Sequence, residues 1–306
     1  MIQYVLRRIL ATLPVVLGVC TVTFLLLHLV PGDPVDIMLG EQATVMDKDS
    51  LRRELGLDQP LHIQYGNFLA GLVTLDAGRS LHSRLPVIEE VAERIPATVE
   101  LTIGAIFLAL LFGIPMGIIA AVKQYSWMDN SVLVTGLLGM SIPGFFLGPM
   151  LIWIFALHLD WFPVSERGGL EHLLLPAVSL ALPFGAILMR MTRASMLDVI
   201  KEEYINVARA KGLHPVWVYS KHALANALMP IITIVGLQLG ALLTGTVITE
   251  TIFDWPGIGT LLFQSIQSRD YPLVQGCILL ISLTYVAVNL LTDLAYGLAN
   301  PKVRLS

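Results

Sequence analysis

The chain has 306 residues, of which 55% are hydrophobic and 14% charged, with a mean hydropathy of +0.74. Soluble domains carry about 25% charged residues, so this balance excludes a soluble globular protein and points to an integral membrane protein. The formal net charge of −4 is dominated by one acidic loop and says little about partners, and no basic patch interleaved with aromatics suggests nucleic acid.

In chain order, Arg7 and Arg8 precede an uncharged apolar run over residues 9–30, about long enough to cross a bilayer. The run is too long for a signal peptide and lacks a cleavage site, so it reads as an uncleaved first span with a cytoplasmic N-terminus. Residues 31–96 form a long acid-rich insertion outside the cytoplasm (Asp47, Asp49, Glu54, Asp58, Glu89, Glu90, Glu93). The acidic side chains suit a solvated face or a partner. Within the insertion, Leu61, Tyr65, Phe68, Leu69 and Leu72 make one apolar helical face, to lie on the membrane or on the bundle.

Five further spans follow at residues 101–122, 131–159, 173–189, 223–249 and 273–292. The expected fold is therefore an all-α integral membrane protein with six transmembrane helices and a long extracytoplasmic loop after the first. With both termini inside, the short cytoplasmic pieces hold Arg7, Arg8, Lys123, Arg190, Arg193, Lys201, Arg209, Lys211, Lys221, Lys302 and Arg304. The two short outer loops hold only Arg167 and Arg269. This is the positive-inside asymmetry. Gly113 with Gly117, Gly144 with Gly148, and Gly236 with Gly240 have the spacing that lets membrane helices approach closely. Pro115, Pro143, Pro149, Pro176 and Pro183 lie in or beside spans, where they kink helices. Cys20 and Cys277 fall in apolar segments and read as packing residues.

The polar stretch over residues 195–226 stands apart. It reads as two short helices around a corner. Glu202 and Glu203 open the first, and Arg209 and Lys211 close it, as the helix dipole favours. Gly212 follows where a left-handed residue ends a helix. His214 is extended before Pro215, and Pro215 starts the second helix. An ordered corner longer than an ordinary loop reads as a docking part for another protein.

Chemistry of other kinds is missing. Glu100, Glu250 and Asp293 sit at span ends, and no buried carboxylate of an ion-coupled transporter stands out. His28 reads as packing near the outer end of the first span. No phosphate loop, Ser/His/Asp set or His-Glu-x-x-His site occurs, and Gly257-Ile258-Gly259 reads as a turn beside Pro256. These absences weigh against an ion-coupled secondary transporter and an intramembrane enzyme. They leave a transport bundle driven by something that grips its corner.

Motifs running nearly end to end carry a family likeness: Pro31-Gly32-Asp33-Pro34, Leu55-Gly56-Leu57-Asp58-Gln59-Pro60, Pro96-Ala97-Thr98-Val99-Glu100-Leu101, Ala208-Arg209-Ala210-Lys211-Gly212, His222-Ala223-Leu224 with Asn226-Ala227 and Pro230, Glu250-Thr251-Ile252-Phe253 with Trp255-Pro256-Gly257-Ile258-Gly259, Arg269-Asp270-Tyr271-Pro272, and Asn300-Pro301 with Arg304. Asp76-Ala77-Gly78-Arg79-Ser80 departs from the family pattern at its first position. On these residues the chain resembles permease subunits of ABC importers of the dipeptide/oligopeptide/nickel type, the dipeptide permease B-like branch. The corner resembles the EAA loop of importer permeases. Gly212, Leu224 and Ala208 keep that pattern, while Asn206, Val207 and Ala225 depart from it.

The resemblance implies a type I importer transmembrane domain over 97–296, preceded by the first helix (1–30) and the extracytoplasmic loop domain (31–96). Coupling helices lie at 196–222 and a cytoplasmic tail at 297–306. It implies ATPase docking on Glu203, Tyr204, Ala208, Arg209, Ala210, Lys211 and Gly212. The implied partners are a second homologous permease chain, two cytoplasmic ATP-binding subunits carrying ATP and Mg, an extracytoplasmic solute-binding protein and the bilayer of the bacterial inner membrane. No cofactor, metal or catalytic site is expected in this chain. Ser141, Gln238, Thr244, Thr246 and Asn289 are candidates for the substrate path, each equally suited to a helix–helix hydrogen bond. Dipeptides and oligopeptides are the expected cargo, with nickel or glutathione as alternatives.

Overall fold

The computed structural model describes residues 2–29, 35, 44–54 and 56–299. The motif at residues 31–34, Leu55, Lys302, Arg304 and the Asn300-Pro301 pair lie outside the described residues, as do the side chains of His28 and Thr244. Among the described residues, five helices are long and apolar enough to cross a membrane, and a sixth span arises if one sharply bent pair is counted as one.

The first helix, α1 (Ile2–Leu29), keeps Pro14 within it. Two short helices follow, α2 (Val45–Glu54) and α3 (Leu61–Val73). The apolar face expected on α3 lies on the bundle through Tyr65, Phe68, Leu69 and Leu72, with Leu61 at its start exposed. Tyr65 and Phe68 pack on Phe24 of α1, with ring centroids 5.3 and 5.7 Å away, and the Tyr65 hydroxyl is 2.7 Å from Thr21 Oγ1. The longest helix, α4 (Val87–Val122), runs through Pro96 and Pro115. It therefore starts well before the span expected at 101, because Pro96 is accommodated inside it.

The span expected at 131–159 is not one straight helix. It is α5 (Trp127–Ser141) followed by α6 (Gly144–Leu151), which passes into a π-helical stretch at Ile152–His158. The two halves are bent by 102° at the break. Pro143 supplies the physical reason. It lacks an N–H, and it holds Ile142 extended with ψ 120°.

The centre of the bundle is α7 (Leu170–Ile200), which continues past residue 189, where its apolar run ends. It packs parallel to α4, since Gly104 meets Leu173 and Ala177, Gly113 meets Leu188, and Gly117 meets Met189 and Thr192. A Cβ at Gly117 would lie 2.6 Å from both the Met189 carbonyl oxygen and Thr192 Cβ, so the close approach requires glycine there. The corner helix α8 (Glu203–Ala210) comes next, then the single turn α9 (Pro215–Trp217). The expected second short helix is not separate: α9 runs through a π-helical turn (Val218–Ala223) directly into α10 (Leu224–Ile252). Nothing between Pro215 and Pro230 removes a backbone donor, so the helix does not stop.

The chain closes with α11 (Ile258–Gln267) and α12 (Tyr271–Ala299). α12 lies antiparallel to α1, tied by Arg8–Asp293 (3.1 Å) toward one end and by Gln275 Nε2 donating to the Thr23 carbonyl (3.2 Å) toward the other. It also lies antiparallel to α10, where Gly236 faces Thr292 and Gly240 faces Tyr285. Cys20 and Cys277 are buried and free.

Candidate functional site

The corner at one end of the bundle is held by very little chain. α8 is eight residues long, too short to be stable alone in water. Two side chains seat it. Ile205 and Ala208 are buried in a cluster with Ala121 at the end of α4, Met196 of α7, Val218 and Ala223 of the π-helical turn that leads into α10, and Ala227 of α10 itself. Burying an isoleucine side chain is worth roughly 2 kcal/mol, enough to hold one short helix in place. The corner thus rests on the ends of three long helices at once.

Its termination follows the residues. Gly212 has φ +75°, with its N–H donating to the Arg209 carbonyl (2.9 Å), while the Leu213 N–H reaches back to the Ala208 carbonyl (3.4 Å). This pair of bonds is the Schellman closure, and it needs a left-handed residue at its glycine. Nothing lies within 4 Å of a Cβ placed on Gly212, so glycine is required there by backbone conformation alone. His214 is extended (φ −58°, ψ 134°) and accepts the Val216 N–H at Nδ1 (3.4 Å), with Pro215 at the first helical position. The corner is cinched across its base, where Arg209 donates to the Tyr219 hydroxyl (3.3 Å) and lies 5.6 Å from the ring centroid.

The outward face is apolar where a solvated loop would be polar. Tyr204, Val207, Leu213, Val216 and Trp217 are all exposed, Val207 at 53% and Trp217 at 61%. Glu203, Arg209, Ala210, Lys211 and Gly212 are exposed beside them. Of the residues assigned to docking, Ala208 is the exception: it faces inward as part of the seat.

The opposite end of the bundle holds features that residue-by-residue reading missed. Three motifs separated in the chain meet in a fully buried knot. Glu250 is 0% exposed. Its Oε1 accepts from Thr98 Oγ1 (2.7 Å), and its Oε2 accepts the N–H groups of Gly259 (2.7 Å) and Thr260 (3.2 Å), which open α11. Trp255, also fully buried, donates Nε1–H to the Ala97 carbonyl (2.8 Å). A Cβ at Gly259 would lie 2.4 Å from Val247 Cα and 2.9 Å from Glu250 Oε2, so this turn is packed to contact. Nearby, buried Asp270 accepts from Ser80 Oγ (2.6 Å) and the Leu81 N–H (2.9 Å), joining the segment before α4 to the start of α12. Glu250 sits at a span end, as expected, but it is fully buried there, which its position in the sequence does not show. Asp129, Glu250 and Asp270 are all buried, and each is bonded to fixed groups of the chain. The spacing of Glu250 ahead of the Trp255–Gly259 turn was the signal available.

The structure does not gather the four path candidates whose side chains it describes. Gln238 lines a cleft of about 290 Å³ between α6, α7 and α10, with Ser179, Phe184 and Thr249. Asn289 lines a different cleft, between α1 and α12. Ser141 is exposed and donates to the Leu137 carbonyl of its own helix (2.8 Å), while Thr246 is buried at 1% exposure. No group of three or more His, Cys, Asp or Glu residues is arranged to hold a metal ion among the described residues.

Comparison with known proteins adds three findings. A family model described as the binding-protein-dependent transport system inner membrane component matches residues 113–305, and the model for the N-terminal part of such membrane components matches residues 1–102. The chain is 41% identical over 304 residues, 99% of each chain, to the glutathione transport system permease protein GsiC of Salmonella choleraesuis and of Escherichia coli K12. Among solved structures, two inward-facing forms of the MetNI methionine ABC transporter match with TM-scores of 0.55 and 0.57 at 18% and 17% identity, covering 69% of this chain and 96% of theirs. At that identity the likeness is one of fold.

Proposed function

Because the chain belongs to the binding-protein-dependent inner membrane components, the permease subunits of ABC importers, we propose that it passes short peptides, glutathione among them, through a path shared with a second homologous permease chain. The observation that carries the coupling half of this reading is the seat of α8. Its inward face touches the ends of α4, α7 and α10, and its outward face offers exposed apolar and basic residues. A subunit pressing on that face pushes three spans together. Two ATP-binding subunits, carrying ATP and Mg, dock there at Tyr204, Val207, Arg209, Lys211 and Gly212. The corner then lies in the cytoplasm with both termini, as the positive charge distribution favours. A solute-binding protein meets the opposite end.

The cargo half rests on the full-length 41% identity to permeases named for glutathione transport. Glutathione is itself a tripeptide, so it falls within the expected peptide class. The test is uptake of labelled glutathione, a dipeptide, a longer peptide and nickel, side by side, by the complete complex in vesicles with and without internal ATP. ATP-dependent entry of glutathione or a short peptide is the expected result. Entry of nickel alone replaces the cargo, and entry that follows an ion gradient without ATP overturns the mechanism.

A further inference from the structure

Of the three buried carboxylates among the described residues, Asp129 stands apart from the other two. Glu250 is held by hydroxyl and amide groups, and Asp270 by a hydroxyl and amides with His82 at 3.6 Å, all at the end opposite the corner. Asp129 lies at the corner end, and its partner is a permanent cation on another helix. Arg193 of α7 grips it with both prongs: Nε donates to Oδ1 at 2.6 Å, and a terminal nitrogen donates to Oδ2 at 2.8 Å. The Arg193 side chain is 18% exposed and that of Asp129 is 2%. The carboxylate is fixed further by the Tyr125 N–H (2.9 Å to Oδ2), while its own N–H donates to Ser126 Oγ (3.3 Å), the N-cap of α5. A two-pronged arginine–carboxylate pair fixes orientation as well as distance.

Arg193 lies one turn before Met196, which forms part of the α8 seat. The seat already joins α8 to α4 and α7, but α5 is absent from it. The bent span α5–α6 is held at the corner end by its short connection to α4 over residues 123–126, by Val132 packed with Ala120 and Met189, and by Gly136 and Gly139 on α7, and Asp129 adds the directional, charged tie to α7. We propose that the Asp129–Arg193 pair is the clamp that makes α5 move with α7 and α8, so that a push on the corner reaches the bent span. Asp129 and Arg193 are positioning residues, and the proposal rests on the transport reading above.

The test uses the complete reconstituted complex and reads peptide or glutathione taken up per ATP hydrolysed, for wild type, Asp129→Asn, Arg193→Gln and the double variant. A clamp opened once is not opened further by the second change. The ratio is expected to fall by roughly five- to tenfold in all three variants, with ATP hydrolysis retained. The double variant leaves no unpaired charge, so it also serves where a single variant fails to reach the membrane. Recovery of the wild-type ratio in the double variant overturns the clamp, because the harm then came from a stranded charge. Failure of the double variant to assemble also overturns it, because the pair then serves folding. An unchanged ratio in the variants beside a working wild type overturns the clamp alone. A wild type with no ATP-driven uptake overturns the transport reading, and the clamp with it.

Discussion

The two ends of this bundle are built on opposite plans. At the far end, Glu250, Trp255, Thr98, Asp270 and Ser80 are all buried, and their polar atoms are bonded to groups on other segments of the chain. At the corner end, α8 is an exposed eight-residue helix seated by Ile205 and Ala208, with aromatic and aliphatic side chains facing outward. Buried, fully bonded polar groups specify one arrangement and resist change. A short helix on an apolar seat keeps its own shape through its closure while leaving a surface free for a partner. The difference places rigidity at one end, and under the proposed function it places reception of force at the other.

Changes at the two ends therefore fail differently. The largest loss of stability is expected from Trp255→Ala, which empties a fully buried site and removes the Nε1–H bond to the Ala97 carbonyl. It costs about 3–5 kcal/mol, read as a clear fall in the unfolding temperature of the purified protein and in its membrane level. Ile205→Ala removes the main seat of α8 and costs about 2–4 kcal/mol locally. Its signature is lost uptake at a nearly normal unfolding temperature, and a fall in temperature as large as that of Trp255→Ala would erase the contrast. The smallest effect belongs to Tyr219→Phe. It deletes a 3.3 Å bond at an exposed site while leaving the ring under Arg209, so stability stays within about 0.5 kcal/mol and uptake near wild type.

The corner was legible in advance because its signals are local. A glycine at a helix end, an extended histidine and a proline opener each act through their own backbone angles, and the structure bears out all three. The spans were legible from apolar length, except where Pro143 had to be read as a break rather than a kink. The far-end knot was not, because its bonds join Thr98 to Glu250 and Ser80 to Asp270 across long stretches of chain. No periodicity encodes a contact of that kind. Glu250 looked like a polar residue at a span end until α11 folded back and capped it with two N–H groups. The path candidates stayed open for the same reason: a hydroxyl or amide in a span looks identical in sequence whether it lines a cleft, as Gln238 does, or bonds its own helix, as Ser141 does.

The measurement that bears most directly on the corner as the receiver of force is ATP-driven uptake by Gly212→Pro in the complete complex, beside its membrane level. Proline holds φ near −65° and has no N–H, so it can neither adopt the +75° of Gly212 nor donate to the Arg209 carbonyl. The account predicts a variant that inserts normally, keeps a near-normal unfolding temperature and transports nothing. Wild-type uptake by a well-inserted Gly212→Pro would contradict it.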